Sequence, residues 1–315
     1  MDVSEKIPVL AIAGPTASGK TALAVQLAKY FDGEVISVDS MQIYTGLSVS
    51  TAKPTAEEMD GVPHHLLDFV SPETPFSVAD YCALAAKKIA DIHARGKRVL
   101  LCGGTGLYMQ SLLENLDFSG DGADPKIRAE LQGTAETQGT EAVWRQLHAV
   151  DPQGAETLHP NNLGRVIRAL EIYRTTGRTM AEQKELSRRK PTPYHACVLC
   201  LDFRDRQKLY DRINRRVERM LKAGLEQEAR DFYRTYDAEG GTARQAIGCK
   251  EFLPYFRGEC GFDAAVESVK RETRRYAKRQ LTWFRRMENV HFLYVDETSD
   301  LFGTALEAVR ESGIF

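Results

Sequence analysis

The chain has 315 residues, of which 43% are hydrophobic and 27% charged, and a formal net charge of −2 at pH 7. That composition suits an ordinary globular protein with ample core, and the slightly acidic balance, taken whole, argues against a nucleic-acid binder. No apolar run approaches the ~20 residues of a membrane span, and Met1 to Lys6 lacks the basic start and apolar core of a secretory signal, so no membrane association and a cytoplasmic location are expected.

From the N-terminus, the apolar run Pro8 to Ala13 reads as a buried strand over 7–13. Gly14-Pro15-Thr16-Ala17-Ser18-Gly19-Lys20-Thr21 then forms a complete G-x-x-x-x-G-K-T loop opening a helix over 19–30. Backbone N–H groups of such a turn, with the positive helix end, wrap a di- or triphosphate. Lys20 adds a point charge, and the Thr21 hydroxyl is placed to bind Mg²⁺. A kinase, an ATPase or any enzyme expelling pyrophosphate can use such a cradle, so the loop leaves the chemistry open. A second strand over 34–38 delivers Asp39, followed by Ser40, Gln42 and Tyr44. In an NTPase this carboxylate would help hold Mg²⁺, but it arrives unusually early, on the strand directly after the loop's own helix. His64-His65 has no third metal ligand at recognisable spacing. A helix over 78–95, a strand over 98–102, the turn Gly103-Gly104-Thr105 and a helix over 105–115 continue the alternation.

Strand signals disappear between residues 118 and 190. Ser119 to Pro125 reads as a linker into this region and Lys190-Pro191-Thr192-Pro193 as the way out, with amphipathic helical patterns over 126–149 and 161–175. The expected organisation is a core of residues 1–117 and 191–315 carrying a helical insertion domain, 118–190. A strand over 196–202 contains Cys197 and Cys200. Three residues apart on a strand, they point to opposite faces, which suits core packing better than zinc.

Helices over 206–235 and 263–288, a strand over 291–295 and a helix over 300–311 complete the chain. Charge is uneven here. Residues 270–286 hold eight Lys/Arg against one acid, a local +7, and residues 204–222 hold eight against three, a local +5. Two such helices are an electrostatic footprint for an anionic partner. Tyr276, Trp283, Phe284 and Met287 repeat at helical spacing and read as core. Strands alternating with helices predict an α/β fold: a phosphate-loop NTPase-like parallel sheet flanked by helices, with the small all-helical insertion. Ligands of such sheets lie beyond the carboxyl ends of the strands, so Gly14–Thr21, Asp39-Ser40 and Gly103–Thr105 should meet at one site.

These segments, read in order, resemble the bacterial tRNA dimethylallyltransferases (the isopentenyl-diphosphate:tRNA isopentenyltransferase family). The resemblance is carried by Gly14–Thr21, Asp39-Ser40-Met41-Gln42-Ile43-Tyr44, Thr51-Ala52-Lys53-Pro54, Gly61 to Asp68, Phe76 to Tyr81, Gly103 to Tyr108, Arg165 to Glu171 and Thr273 to Arg285. Two departures stand out. Gly46-Leu47-Ser48-Val49-Ser50 replaces the family's Gly-Met-Asp-Ile-Gly, and Cys249 stands where a tyrosine is usual.

The resemblance implies dimethylallyl diphosphate as donor, tRNA as partner and Mg²⁺ as cofactor, held by Thr21. The N6 amine of the adenosine 3′ to the anticodon would attack the allylic carbon while diphosphate leaves. Asp39 would be the general base, Thr105 would touch the diphosphate near the breaking bond, and Lys20 would stabilise the leaving group. Arg212 and Arg216, four apart on one helix face, would supply a diphosphate-binding arginine, with either the candidate. Asp39 as a plain Mg²⁺ ligand and Thr105 as a helix cap are the alternatives. Implied tRNA contacts are Asp39, Ser40, Met41, Gln42 and Thr105 around the base, and Arg128, Gly164, Arg165, Val166, Ile167 and Arg168 in the insertion. Arg244, Gln245 and Gly248 follow, then Arg275, Lys278 and Arg279 on phosphates. Ser40, Gln42 and Gln245 carry groups able to read adenine edges. The rivals are an adenylate isopentenyltransferase, a small-molecule kinase and a non-enzymatic RNA-binding module. The insertion and the two basic helices favour a tRNA acceptor, because a mononucleotide needs neither, and nothing demands more than a monomer.

Overall fold

The computed structural model describes residues 6–118, 124–236 and 241–315. Residues 1–5 and the 119–123 part of the expected linker lie outside the described residues. Six parallel strands, β1 (Ile7–Ala13), β2 (Gly33–Ser37), β3 (His64–His65), β4 (Arg98–Cys102), β5 (Tyr194–Asp202) and β6 (Val290–Tyr294), form one sheet in the order β3-β2-β4-β1-β5-β6. The helices are α1 (Lys20–Phe31), α2 (Ala56–Met59), α3 (Val78–Ala94), α4 (Gly106–Leu113), α5 (Pro125–Gln138), α6 (Thr140–Val150) and α7 (Pro152–Glu156). They continue as α8 (Leu163–Thr176), α9 (Met180–Ser187), α10 (Arg206–Lys222), α11 (Leu225–Thr235), α12 (Leu253–Phe256), α13 (Phe262–Phe284) and α14 (Leu301–Ser312). Among the described residues no helix is long and apolar enough to cross a membrane.

The central strands β1, β4 and β5 are mostly apolar because both faces of the sheet are covered. Val9, Ala11, Ile36 and Leu101 pack with Tyr81, Ile89 and Met109 of α3 and α4, whereas Leu10, Ile12, Leu100 and Leu199 pack with Leu23 and Leu27 of α1 and Ala305 of α14. Cys200 joins the first layer and Cys197 the second, as their spacing predicts. In register, Ile12 lies beside Cys102 and Ser37 beside Cys102, so β1, β2 and β4 end together. The phosphate loop, Asp39 and the Gly103-Gly104 turn all leave from that edge.

A third cluster fixes the segment after Asp39. Ile43, Tyr44 and Leu47 are fully buried against Val217 of α10, Leu225 and Phe232 of α11, and Phe252, Val266 and Val269. Glu228 of α11 accepts the N–H groups of Ser48, Val49 and Ser50 at 2.8, 2.7 and 2.8 Å. The unusual Leu47 is therefore a core residue. Cys249 and Ser50, two of the family departures, lie side by side, so a smaller side chain at one position meets a larger one at the other.

Two expected single helices are divided. Gly139 (φ 85°) separates α5 from α6, and Gly224 (φ 96°) separates α10 from α11. Both glycines lie in the positive-φ region that ends a helix. The short strand β3 and the short helices α7 and α9 were not legible as elements. α7 starts at an Asp151 cap followed by Pro152, and α9 at a Thr179/Glu182 capping box.

The chain divides into two compact units, residues 1–113 with 193–315, and residues 114–192. The second unit contains α5 to α9 around Leu131, Val143, Leu147, Val166 and Leu170. Its Trp144 indole donates to the Ala155 and Leu158 carbonyls at 3.0 and 2.9 Å. Glu171, fully buried, accepts from Arg128 at 2.8 Å, Arg168 at 2.7 Å and the Asp124 N–H at 3.1 Å. These bonds hold its carboxyl below the usual range despite burial.

Candidate functional site

Beyond the carboxyl edge of the sheet, the larger unit encloses a cavity of about 270 Å³. The phosphate loop and α1 contribute Thr16, Lys20 and Thr21, the segment after β2 contributes Asp39 to Gln42, and the turn after β4 contributes Gly103 and Gly104. Arg216 projects from α10, and Tyr276, Arg279 and Gln280 from α13. The three loops expected to converge do so.

Three side chains brace the phosphate loop. Gly14, Ala17 and Gly19 have φ of 136°, 62° and 102°. Lys20 Nζ donates to the Pro15 carbonyl at 2.7 Å, Arg212 Nε to the Ala17 carbonyl at 2.9 Å, and the Thr16 N–H to Gln280 Oε1 at 2.9 Å. Burial pulls the Lys20 ammonium down to about 8, reinforced by Arg216 and opposed by Asp39.

Asp39 is anchored on one oxygen. Its Oδ1 accepts the Met41 and Gln42 N–H groups at 2.8 and 3.2 Å, an Asx turn that fixes the carboxylate. Burial raises its pKa above the usual carboxylate range, opposed by those two bonds and by the charges of Lys20 and Arg216. Thr105 Oγ1 accepts the Ser40 N–H at 3.0 Å, so its side chain braces the Asp39 segment, with the Tyr276 hydroxyl beside it.

The two candidate arginines part company. Arg216 lines the cavity that contains Asp39 and Lys20, and burial lowers its pKa. Arg212 is spent on the Ala17 carbonyl and borders a separate basic depression with Arg215, Arg219 and Lys222. A shared helix face was the sequence expectation, but side chains four apart are rotated by about 40°, and the two guanidinium groups meet different neighbours.

Several expected tRNA contacts are placed differently from the sequence reading. The Gln42 amide is used internally: Nε2 donates to the Thr51 and Ala52 carbonyls at 3.2 and 3.1 Å, and Oε1 accepts from Ser37 at 3.1 Å. It orients the loop and has no N–H left to read a base. Val166 and Ile167 are core residues of the second unit, 0% and 4% exposed, because an amphipathic helix turns its apolar positions inward. Their neighbours Gly164 and Arg165 are exposed at the start of α8. Gly248 is buried with its N–H on Glu251. Gln245 is exposed and lines the cavity, and Arg244 lies over the Tyr233 ring. On α13, Arg275 is exposed and paired with Glu272, Lys278 is exposed, and Arg279 is both exposed and part of the cavity wall.

Tyr276, read as core, lines the cavity instead, while Phe284 is buried and Met287 packs beside it. Gln280 was missed altogether. A lone glutamine in a basic helix carries no signal until the backbone groups it bonds are in place. His64, in β3, donates from Nδ1 to the Val62 carbonyl (2.9 Å) and lines the cavity. His65 bonds Glu34, which Arg95 and His65 hold at about 2.

This is a phosphate-loop α/β protein in which a carboxylate, a lysine and an arginine face one cavity. A family model described as IPP transferase matches residues 42–287. The chain is 48% identical over 289 residues to a tRNA dimethylallyltransferase of Acetivibrio thermocellus, covering 92% of each. It is 47% identical over 285 residues to one of Halalkalibacterium halodurans, covering 90% of each. The crystal structure of a full-length tRNA isopentenylpyrophosphate transferase from Bacillus halodurans superposes with a TM-score of 0.72 at 42% identity over 98% of both chains. A eukaryotic dimethylallyltransferase acting on tRNA gives 0.81 at 31% identity, covering 96% of this chain and 78% of that one. The chain belongs to the IPP transferase family.

Proposed function

We propose that this protein transfers a dimethylallyl group from dimethylallyl diphosphate to N6 of the adenosine 3′ to the anticodon in tRNA, releasing diphosphate. The observation that carries this is the meeting, in one cavity, of a fixed carboxylate (Asp39) with the cations of a phosphate loop (Lys20) and of α10 (Arg216). An exocyclic adenine amine is a weak nucleophile, since its lone pair is delocalised into the ring. As the N6–C bond forms and the allylic C–O bond breaks, Asp39 takes the N6 proton through the oxygen that its backbone bonds leave free. Burial raises its pKa, which makes it a stronger base than a free carboxylate. The electron pair leaves on the diphosphate oxygen, where Lys20, Arg216 and the loop N–H groups stabilise it.

Mg²⁺ fits these residues. A hard cation that keeps several waters needs one hydroxyl and the diphosphate oxygens, not a cage of carboxylates, and Thr21 supplies that hydroxyl at the cavity wall. When bound it neutralises part of the leaving-group charge.

The acceptor base has to leave the anticodon-loop stack to reach an enclosed site. Lys278 and Arg279 on α13 supply phosphate contacts, and Arg165 with the Glu171-held Arg128 and Arg168 supplies more. A monomer in the cytoplasm belongs to the same reading. The test is transfer of labelled dimethylallyl from its diphosphate to unmodified tRNA, with AMP and ATP as competing acceptors. Labelled N6-(dimethylallyl)adenosine in digested tRNA is the expected result. Preferential labelling of a mononucleotide, or phosphoryl transfer from ATP without prenylation, would overturn it.

A further inference from the structure

Gln280 has no part in the proton transfer or in the charge on the leaving group, yet it joins the loops that do. It is 5% exposed. Its Oε1 accepts the Thr16 N–H at 2.9 Å and its Nε2 donates to the Gly104 carbonyl at 3.0 Å, across 264 and 176 residues of sequence. Gly104 has to be glycine for this approach, because a Cβ there would stand 2.0 Å from Gln280 Nε2. One turn earlier on α13, the Tyr276 hydroxyl lies beside Gln280 and Thr105. Thr105 in turn holds the Ser40 N–H.

The phosphate loop needs such a brace. Ala17 is a non-glycine residue at φ 62°, between two glycines that are also at positive φ, so the loop shape is not what the backbone alone prefers. Of its three side-chain braces, Lys20 on the Pro15 carbonyl is the one that has to turn toward an arriving anion. Gln280 on Thr16 and Arg212 on Ala17 have no such competing task. Only a primary amide offers a donor and an acceptor side by side on one short planar group. Glutamate would lose the donor, and a basic residue the acceptor.

We infer that Gln280 is a positioning residue for the diphosphate. It takes the Thr16 N–H out of use and holds the N–H groups of residues 17–21 in the shape that receives the anion before it arrives. Preorganised donors of this kind act on affinity for the leaving group and not on proton transfer. The identity of the anion rests on the function proposed above, so the experiment separates the two.

Inorganic diphosphate is titrated calorimetrically into the full chain, as wild type, Q280M and Q280E, and the donor KM and kcat are measured in the transfer assay. Losing the two bonds in Q280M should weaken diphosphate and raise the donor KM by about tenfold or more. Q280E keeps the acceptor, loses the donor and adds a charge. It should weaken diphosphate at least as much, and recover in part at low pH as the new carboxyl takes up a proton and can donate again. tRNA affinity by filter binding should stay within about twofold, while kcat at saturating donor falls as well, because the same loop N–H groups stabilise the leaving diphosphate in the transition state. Diphosphate affinity within about threefold of wild type in both variants overturns the inference. So does a loss of tRNA affinity equal to that for diphosphate, the mark of a merely structural residue. Absence of transfer by the wild-type protein would sink the proposed function instead, and the diphosphate titrations would still decide Gln280.

Discussion

Replacing Asp39 by asparagine separates its chemical role from its structural one. The two backbone bonds from Met41 and Gln42 both end on Oδ1, and an asparagine side-chain oxygen can accept them in the same geometry. D39N should therefore fold with nearly wild-type stability while lacking the base. A positioned general base contributes typically 10²–10⁴-fold, about 2.7–5.4 kcal/mol of transition-state stabilisation. Single-turnover transfer should slow by that factor, with tRNA binding unchanged. D39A removes the base and strands both N–H groups, which at roughly 0.5–1.5 kcal/mol per bond should cost about 1–3 kcal/mol more in stability than D39N. Rapid-quench measurement of labelled transfer and urea unfolding of both variants read the two effects independently. The reasoning fails if D39N retains transfer within about tenfold of wild type, or if D39N and D39A are destabilised equally.

Lys20 should give diphosphate binding a pH dependence. With its pKa lowered to about 8 by burial, the ammonium is charged below that pH and must take up a proton to pair with the anion above it. Affinity should be flat below about 8 and fall roughly tenfold per pH unit above, a slope that K20M should abolish in a calorimetric series. The sign for folding is opposite: between about 8 and the ordinary lysine value the unfolded chain holds the proton and the native one does not. Stability of the unliganded protein should therefore rise with pH across that window, as urea midpoints would show. R216Q should raise the donor KM by about tenfold or more and R212Q by much less, since only Arg216 faces the Asp39 cavity; initial rates at saturating tRNA would show a reversed order if that division is mistaken. Neutralising Lys278 and Arg279 together should flatten the salt dependence of tRNA binding by roughly one to two slope units, whereas R275Q should change it less because Glu272 already pairs with Arg275. An unchanged slope in the double variant would remove α13 from the tRNA surface.

The sequence by itself determined what local order encodes. The period of its apolar residues set the strands and helices of a parallel sheet, and the glycine pattern of residues 14–21 placed a phosphate loop between β1 and α1. Asp39 was legible because it follows a buried strand, and the family resemblance was legible because its segments recur in order. What only the tertiary structure decided is which polar groups are already taken. Gln42, expected to read a base, gives both amide hydrogens to Thr51 and Ala52, and Arg212 is committed to Ala17 while its neighbour four residues on faces the cavity. Gln280, silent as a residue of a basic helix, binds groups far off in the sequence, and Tyr276, read as core, lines the cavity. Hydrogen-bond capacity is finite and is shared out among backbone groups that meet only when the chain folds. The pattern along the chain names the candidates, and the partners they find in three dimensions leave some of them free for substrate and use up the rest.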